Sequence, residues 1–188
     1  MLHPIETTVS SLVSSLRSMT AQQPLPANGE VFIDGLLSHY DSNTADIHGR
    51  CRVGENTLFE LSLIVQRPGR WCTLSLRLGS ESLPEASVIG VVADIAASCP
   101  VQIELTLRSF VDGTRIDVPF EDQINTGPEG GVQVALLTAT EGSVLCREAV
   151  NKMLVLHLPQ ITFDLVLRDL RVFVSTANKG QSIFYGPA

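Results

Sequence analysis

Trp71, Thr73, Ser75 and Arg77 alternate with Cys72, Leu74, Leu76 and Leu78, and further on Gln102, Glu104, Thr106 and Arg108 alternate with Val101, Ile103, Leu105 and Leu107. A period of two places each set on one side of a β-strand. Leucines and valines would face a core, while an indole, two guanidiniums, an amide and several hydroxyls would face outward. Saccharides need that combination, because their C–H faces stack on an aromatic ring and their hydroxyls require fixed donors and acceptors. Tyr40 is a second aromatic that could stack. The competing reading is an ordinary solvated sheet face with cross-strand Arg–Glu pairs.

Other reactive side chains form weaker patterns. His39, Asp41, Asp46 and His48 make an H-x-D and a D-x-H that could approach a metal, but Asp41-Ser42-Asn43 also reads as a polar turn. His157, between two leucines, fits a sheet histidine facing water. Glu60, Asp94, Glu104 and Asp117 could supply an acid/base pair, although chain order does not bring any two together. The sequence contains no G-x-S-x-G elbow, no HExxH and no glycine-rich phosphate loop. Binding is therefore expected rather than catalysis.

These side chains need a sheet to hold them, and the 188 residues supply one. Hydrophobic residues make up 44% and charged residues 18%, enough apolar material for one sizeable core. Strands are expected near 30–37, 57–66, 71–78, 87–97, 101–110, 114–120, 132–139, 153–158 and 162–174. The punctuation predicts hairpins at Arg67-Pro68-Gly69-Arg70 and at Asp112-Gly113, a loop from Asn125 to Gly131, and a short helix within 140–152. A longer helix is expected over 5–20, with Ile5, Val9, Leu12, Leu16 and Met19 on one stripe. Pro24 and Pro26 end it in a linker. The expected architecture is all-β, a two-sheet antiparallel β-sandwich, with residues 1–27 as amphipathic helix and linker and 28–188 as the sandwich domain.

Asn28-Gly29-Glu30-Val31-Phe32-Ile33-Asp34-Gly35-Leu36 resembles the opening strand of jelly-roll carbohydrate-binding modules, and Phe163 to Val172 is similar to their closing strand. The resemblance implies a jelly roll that binds an oligo- or polysaccharide without catalysis. It also implies a structural calcium at Asp169 with Glu30 or Asp34, although Arg168 replaces the first acid of the closing step and a cation there opposes calcium.

The function expected is lectin-like glycan binding, with stacking on Trp71 and Tyr40 and hydrogen bonds from Thr73, Ser75, Arg77, Gln102, Glu104 and Arg108. The alternative is an assembly or adaptor protein, for instance a particle or virion component, in which the Ile5-Val9-Leu12-Leu16-Met19 stripe joins copies into a homo-oligomer or docks a protein partner. A net charge of -7 argues against nucleic acid and anionic lipid. The absence of a long apolar run argues against membrane insertion, and the N-terminal residues carry no signal peptide, so synthesis in the cytosol is expected, with release by a signal-independent route left open. Cys51, Cys72, Cys99 and Cys146 are too scattered for a disulfide scaffold, and Cys72 should be a buried thiol.

Overall fold

A computed structural model describes residues 2–18, 23–24, 31–54 and 56–176. Thirteen strands and one helix are found among them: β1 (Gln23–Pro24), β2 (Val31–Ile33), β3 (Leu36–Tyr40), β4 (Asp46–Arg52), β5 (Phe59–Arg67), β6 (Cys72–Gly79), β7 (Ser87–Ala97), β8 (Val101–Val111), β9 (Thr114–Pro119), β10 (Ile124–Thr126), β11 (Gly131–Ala139), β12 (Asn151–His157) and β13 (Phe163–Thr176), with α1 spanning Pro4–Arg17. A six-stranded sheet has the order β1-β4-β5-β13-β7-β11. A seven-stranded sheet runs β10-β8-β12-β6-β3-β2, with β9 beside β8. Every pairing is antiparallel. The protein is a jelly-roll β-sandwich.

The alternation builds the core directly. Leu74, Leu76 and Leu78 of β6 and Ile103, Leu105 and Leu107 of β8 meet Leu61, Leu63, Ile89, Val91 and Leu165 of the opposing sheet, all of them buried. Burial pushes the Cys51 thiol up to about 12 and the Cys72 thiol up to about 11.

Several local expectations change, β1, β4 and β10 being strands where a linker or loop was expected. The stretch 30–37 splits into β2 and β3, because Gly35, at φ +93°, turns the chain at Asp34-Gly35. Arg67 to Arg70 does not close a hairpin: β5 pairs with β4 and β13, β6 with β3 and β12, so this turn carries the chain from one sheet to the other. The predicted helix within 140–152 is a single 3-10 turn, Val144–Cys146. Asp112-Gly113 does close a hairpin, both residues having positive φ, as a two-residue turn requires.

α1 completes the sandwich. His3 caps it through Nδ1, Glu6 returns a carboxylate to the His3 N–H at 2.9 Å, and Pro4 fits the first turn. Ile5, Val9, Leu12 and Leu16 are buried in the core, packed against β13 and β6. This corrects the view of that stripe as a partner interface, since four of its residues are already covered by their own domain; Met19 lies outside the described residues. β5 pairs with β13 only over 163–167. Beyond that point the Val174 N–H donates to Glu6 Oε1 at 2.8 Å, and Arg17 reaches Asp169 at 3.1 Å, so the helix caps an open strand flank.

Candidate functional site

β6 and β8 lie in one sheet, as their shared alternation suggested, but β12 runs between them. The register sets three rows across the outer face. His39, Thr73, His157 and Glu104 form one; Leu37, Ser75, Val155, Thr106 and Pro119 form the next; Arg77, Met153, Arg108 and Asp117 form the third. Four adjacent strands at about 4.8 Å spacing make the first row roughly 14 Å long.

The middle of this face is a floor and not an open surface. Thr73, Ser75, Thr106, Met153 and Val155 all point outward by register, yet each is buried. Thr73 and Ser75 therefore depart from the expected solvated row: Thr73 lies between His39 and His157, and Ser75 between Leu37 and Val155. Ser75 Oγ is buried with no hydrogen-bond partner among the described residues. His157 Nε2 lies 3.0 Å from Thr106 Oγ1.

Electrostatics fix the protonation states of the face. Burial lowers the pKa of His39, and the nearby Arg108 charge lowers it further. Burial also lowers that of His157, opposed by Glu104 and reinforced by Arg108. Both shifts favour the neutral ring, which offers one donor and one acceptor. Burial would raise the pKa of Asp117, but hydrogen bonds from Arg108 and Arg115 prevail and hold it at about 2. Arg108 grips Asp117 with two bonds, at 2.7 and 3.0 Å. Arg77 pairs with Asp34 at 3.3 Å.

Trp71 extends the β6 alternation by one step and is 43% exposed. Arg70 lies over its ring, 5.0 Å from the centroid, and Arg70 Nε donates to Asp41 Oδ2 at 2.9 Å. Asp41 is buried, and hydrogen bonds from Thr44 and Arg70 hold its carboxyl at about 2. Gln102 is exposed at the same end of the face, two strands away and about 10 Å across. Beside it a groove of about 550 Å³ is lined by Gln102, Asn125, Thr126 and Glu129.

The remaining sequence candidates fall elsewhere. Tyr40 sits opposite Cys72 and packs against the core, so it does not share the Trp71 face. Asp34, at the β2–β3 turn, is engaged by Arg77, whereas Asp169, on β13 of the other sheet, is engaged by Arg17 and Arg171. These two acids do not meet, and Glu30 lies outside the described residues. Asp46 turns to His48 at 3.0 Å, away from Asp41, and no group of three His, Cys, Asp or Glu side chains converges on a metal position among the described residues. Glu60 pairs with Arg52 and Asp94 with Arg168 on the six-stranded sheet, while Glu104 accepts from Gln123 at 3.4 Å on the seven-stranded one. Glu60 and Asp94 thus lie on the sheet opposite to that of Glu104 and Asp117. Sequence reasoning missed Arg70; it named His39 and His157, but as a loop metal candidate and as a lone sheet histidine, because their place beside Thr73 depends on strand register.

No protein-family model and no curated protein matches the chain. Solved structures do match in shape. One is described as a CBM4 structure, a carbohydrate-binding module, with a TM-score of 0.59 at 10% identity over 81% of this chain and 95% of that one. Another is the CBM22-1–CBM22-2 tandem of Paenibacillus barcinonensis Xyn10C, with a TM-score of 0.50 at 12% identity over 88% of this chain and 49% of that chain. The chain thus has the jelly-roll fold of carbohydrate-binding modules.

Proposed function

We propose that this protein is a non-catalytic carbohydrate-binding module whose saccharide lies on the outer face of the seven-stranded sheet, at the end marked by Trp71 and Gln102. The observation that carries this reading is the exposed indole at the margin of a polar row, His39-Thr73-His157-Glu104. The indole supplies a stacking plane, while neutral imidazoles, Glu104 and Gln102 supply donors and acceptors for hydroxyls. Arg77 and Arg108 contribute less, because each already holds a carboxylate. The jelly-roll likeness to carbohydrate-binding modules makes sugar the first ligand to test, although a fold by itself does not assign a ligand.

The test is affinity electrophoresis in native gels containing individual neutral and acidic polysaccharides, with tryptophan fluorescence as a second readout. Retardation by at least one polymer, lost in Trp71→Ala while the melting temperature stays within a few degrees, is the expected result. Retention by none, or equal retention of Trp71→Ala, rejects the reading.

A further inference from the structure

Arg70 differs from the other arginines near this face. Arg108 spends two bonds on Asp117, Arg115 also turns to Asp117, and Arg77 gives one N–H to Asp34, whose side chain is exposed and does not anchor it. The Arg70 side chain is 68% exposed and gives only Nε to Asp41. A guanidinium carries five N–H donors, so the four on Nη1 and Nη2 remain without a partner among the described residues. Two contacts place the group. Asp41 is buried, its other bonds going to the Thr44 hydroxyl and the Arg70 backbone N–H, while the Trp71 ring supports the guanidinium face. A pre-oriented fork loses little side-chain entropy when it takes a carboxylate.

We infer that Arg70 and Trp71 together form a subsite for an acidic saccharide, a chain containing uronic acids. This deepens the glycan-binding reading and rests on it. An oligouronate bears a carboxylate on every ring, so the ring on the indole and the carboxylate on the Arg70 fork can belong to successive residues. Arg67 stands on the other side of Pro68-Gly69, with Nε donating to the Thr44 carbonyl at 2.6 Å, which adds a second cation to the same corner. Such a corner is needed here: with a net charge of -7 the chain as a whole repels a polyanion, and only a local fork makes acidic sugar preferable to neutral sugar.

The experiment is isothermal titration of the full chain with oligogalacturonate, oligoglucuronate and oligomannuronate, each beside its methyl ester, which keeps the sugar and removes the charge. At least one acid should bind about tenfold more tightly than its ester, a preference that weakens with salt. Arg70→Gln should equalise acid and ester, and Arg70→Lys should retain part of the preference, since the charge stays and the fork is lost. Equal binding of acid and ester by the unaltered protein, or a preference that survives Arg70→Gln, overturns the inference. In either case Trp71-dependent retention by a neutral polysaccharide would leave the glycan reading standing, whereas no binding to any acidic or neutral glycan would remove both.

Discussion

If α1 is a structural part of the sandwich, shortening the chain to begin at Asn28 should abolish cooperative folding. The helix buries Ile5, Val9, Leu12, Val13 and Leu16. At about 1.5–3 kcal/mol for each fully buried aliphatic side chain, the loss is roughly 7–15 kcal/mol, an upper figure because the unfolded chain already hides some of this surface. That is comparable to the whole stability of an ordinary domain, about 5–15 kcal/mol. The truncation also strips Glu6 from the Val174 N–H and Arg17 from Asp169. A milder version keeps the fold: Leu12→Ala removes a side chain packed near Gly35 and should cost about 2–5 kcal/mol. For a chain of this size that corresponds to a fall in melting temperature of roughly 4–20 °C. Circular dichroism melts and urea titrations of the full chain, Leu12→Ala and the shortened chain measure this. A shortened chain that unfolds cooperatively at the original temperature would show that the helix is dispensable and refute the reasoning.

Three further outcomes follow from individual side chains. A Cβ at Gly90 would clash with the Phe173 ring, so Gly90→Ala should destabilise by about 1–3 kcal/mol in urea titrations, and by less in a Phe173→Ala background; equal losses in both would remove the clash as the cause. Burial lowers the pKa of Lys152 from 10.5, so between the lowered folded value and 10.5 the unfolded chain holds the proton that the folded chain has released, and stability from this group rises with pH across that window. The urea midpoint of the unaltered protein relative to that of Lys152→Met should rise from pH 7 to 11, both proteins sharing the fall above pH 9 that the buried Cys51 and Cys72 thiols bring; parallel curves contradict the assignment. Ser75→Ala removes an unpartnered buried hydroxyl and should leave stability unchanged or raise it by about 1–3 kcal/mol, whereas a clear loss in the same titration would mean that the hydroxyl is bonded.

Strand positions were legible wherever alternation was strong. β6, β7, β8 and β13 fall within a residue or two of their expected limits, because leucine, valine and isoleucine recur there at every second position. β4 was not legible, since Asp46–Arg52 brings only Ile47 and Cys51 to the core and its other residues read as a polar loop. Pairing was less legible still. A proline-glycine turn looks the same whether it closes a hairpin or crosses between sheets, and β12, distant in sequence from both β6 and β8, inserts between them. That insertion brings His157 beside Thr73 and buries Thr73 and Ser75, which alternation alone would leave in water. Tyr40 follows the same logic. Its partner across the ladder is Cys72 and not Trp71, so it turns inward.

The site follows from how charges are paired more than from which residues are present. Arg77 and Arg108 have the alternation expected of ligand-binding groups, yet Arg108 is held by Asp117 through two charge-assisted bonds that a ligand would have to displace, and Arg77 gives a single N–H at 3.3 Å to an exposed aspartate that does not fix its orientation. Arg70, in the turn before the strand and outside any alternation, meets a buried aspartate through Nε alone and keeps its terminal nitrogens outward. One carboxylate placed behind an arginine orients it, while one placed in front occupies it. Which of the two occurs depends on the crossover that lays residues 67–70 against Asp41, where the Gly69 backbone passes so close that an added Cβ would come within 2.9 Å of the Asp41 Cβ. Gly69 is therefore as much a determinant of the Arg70–Trp71 geometry as Asp41 itself: a side chain at that position would push the turn away from the carboxylate and release the guanidinium from the indole.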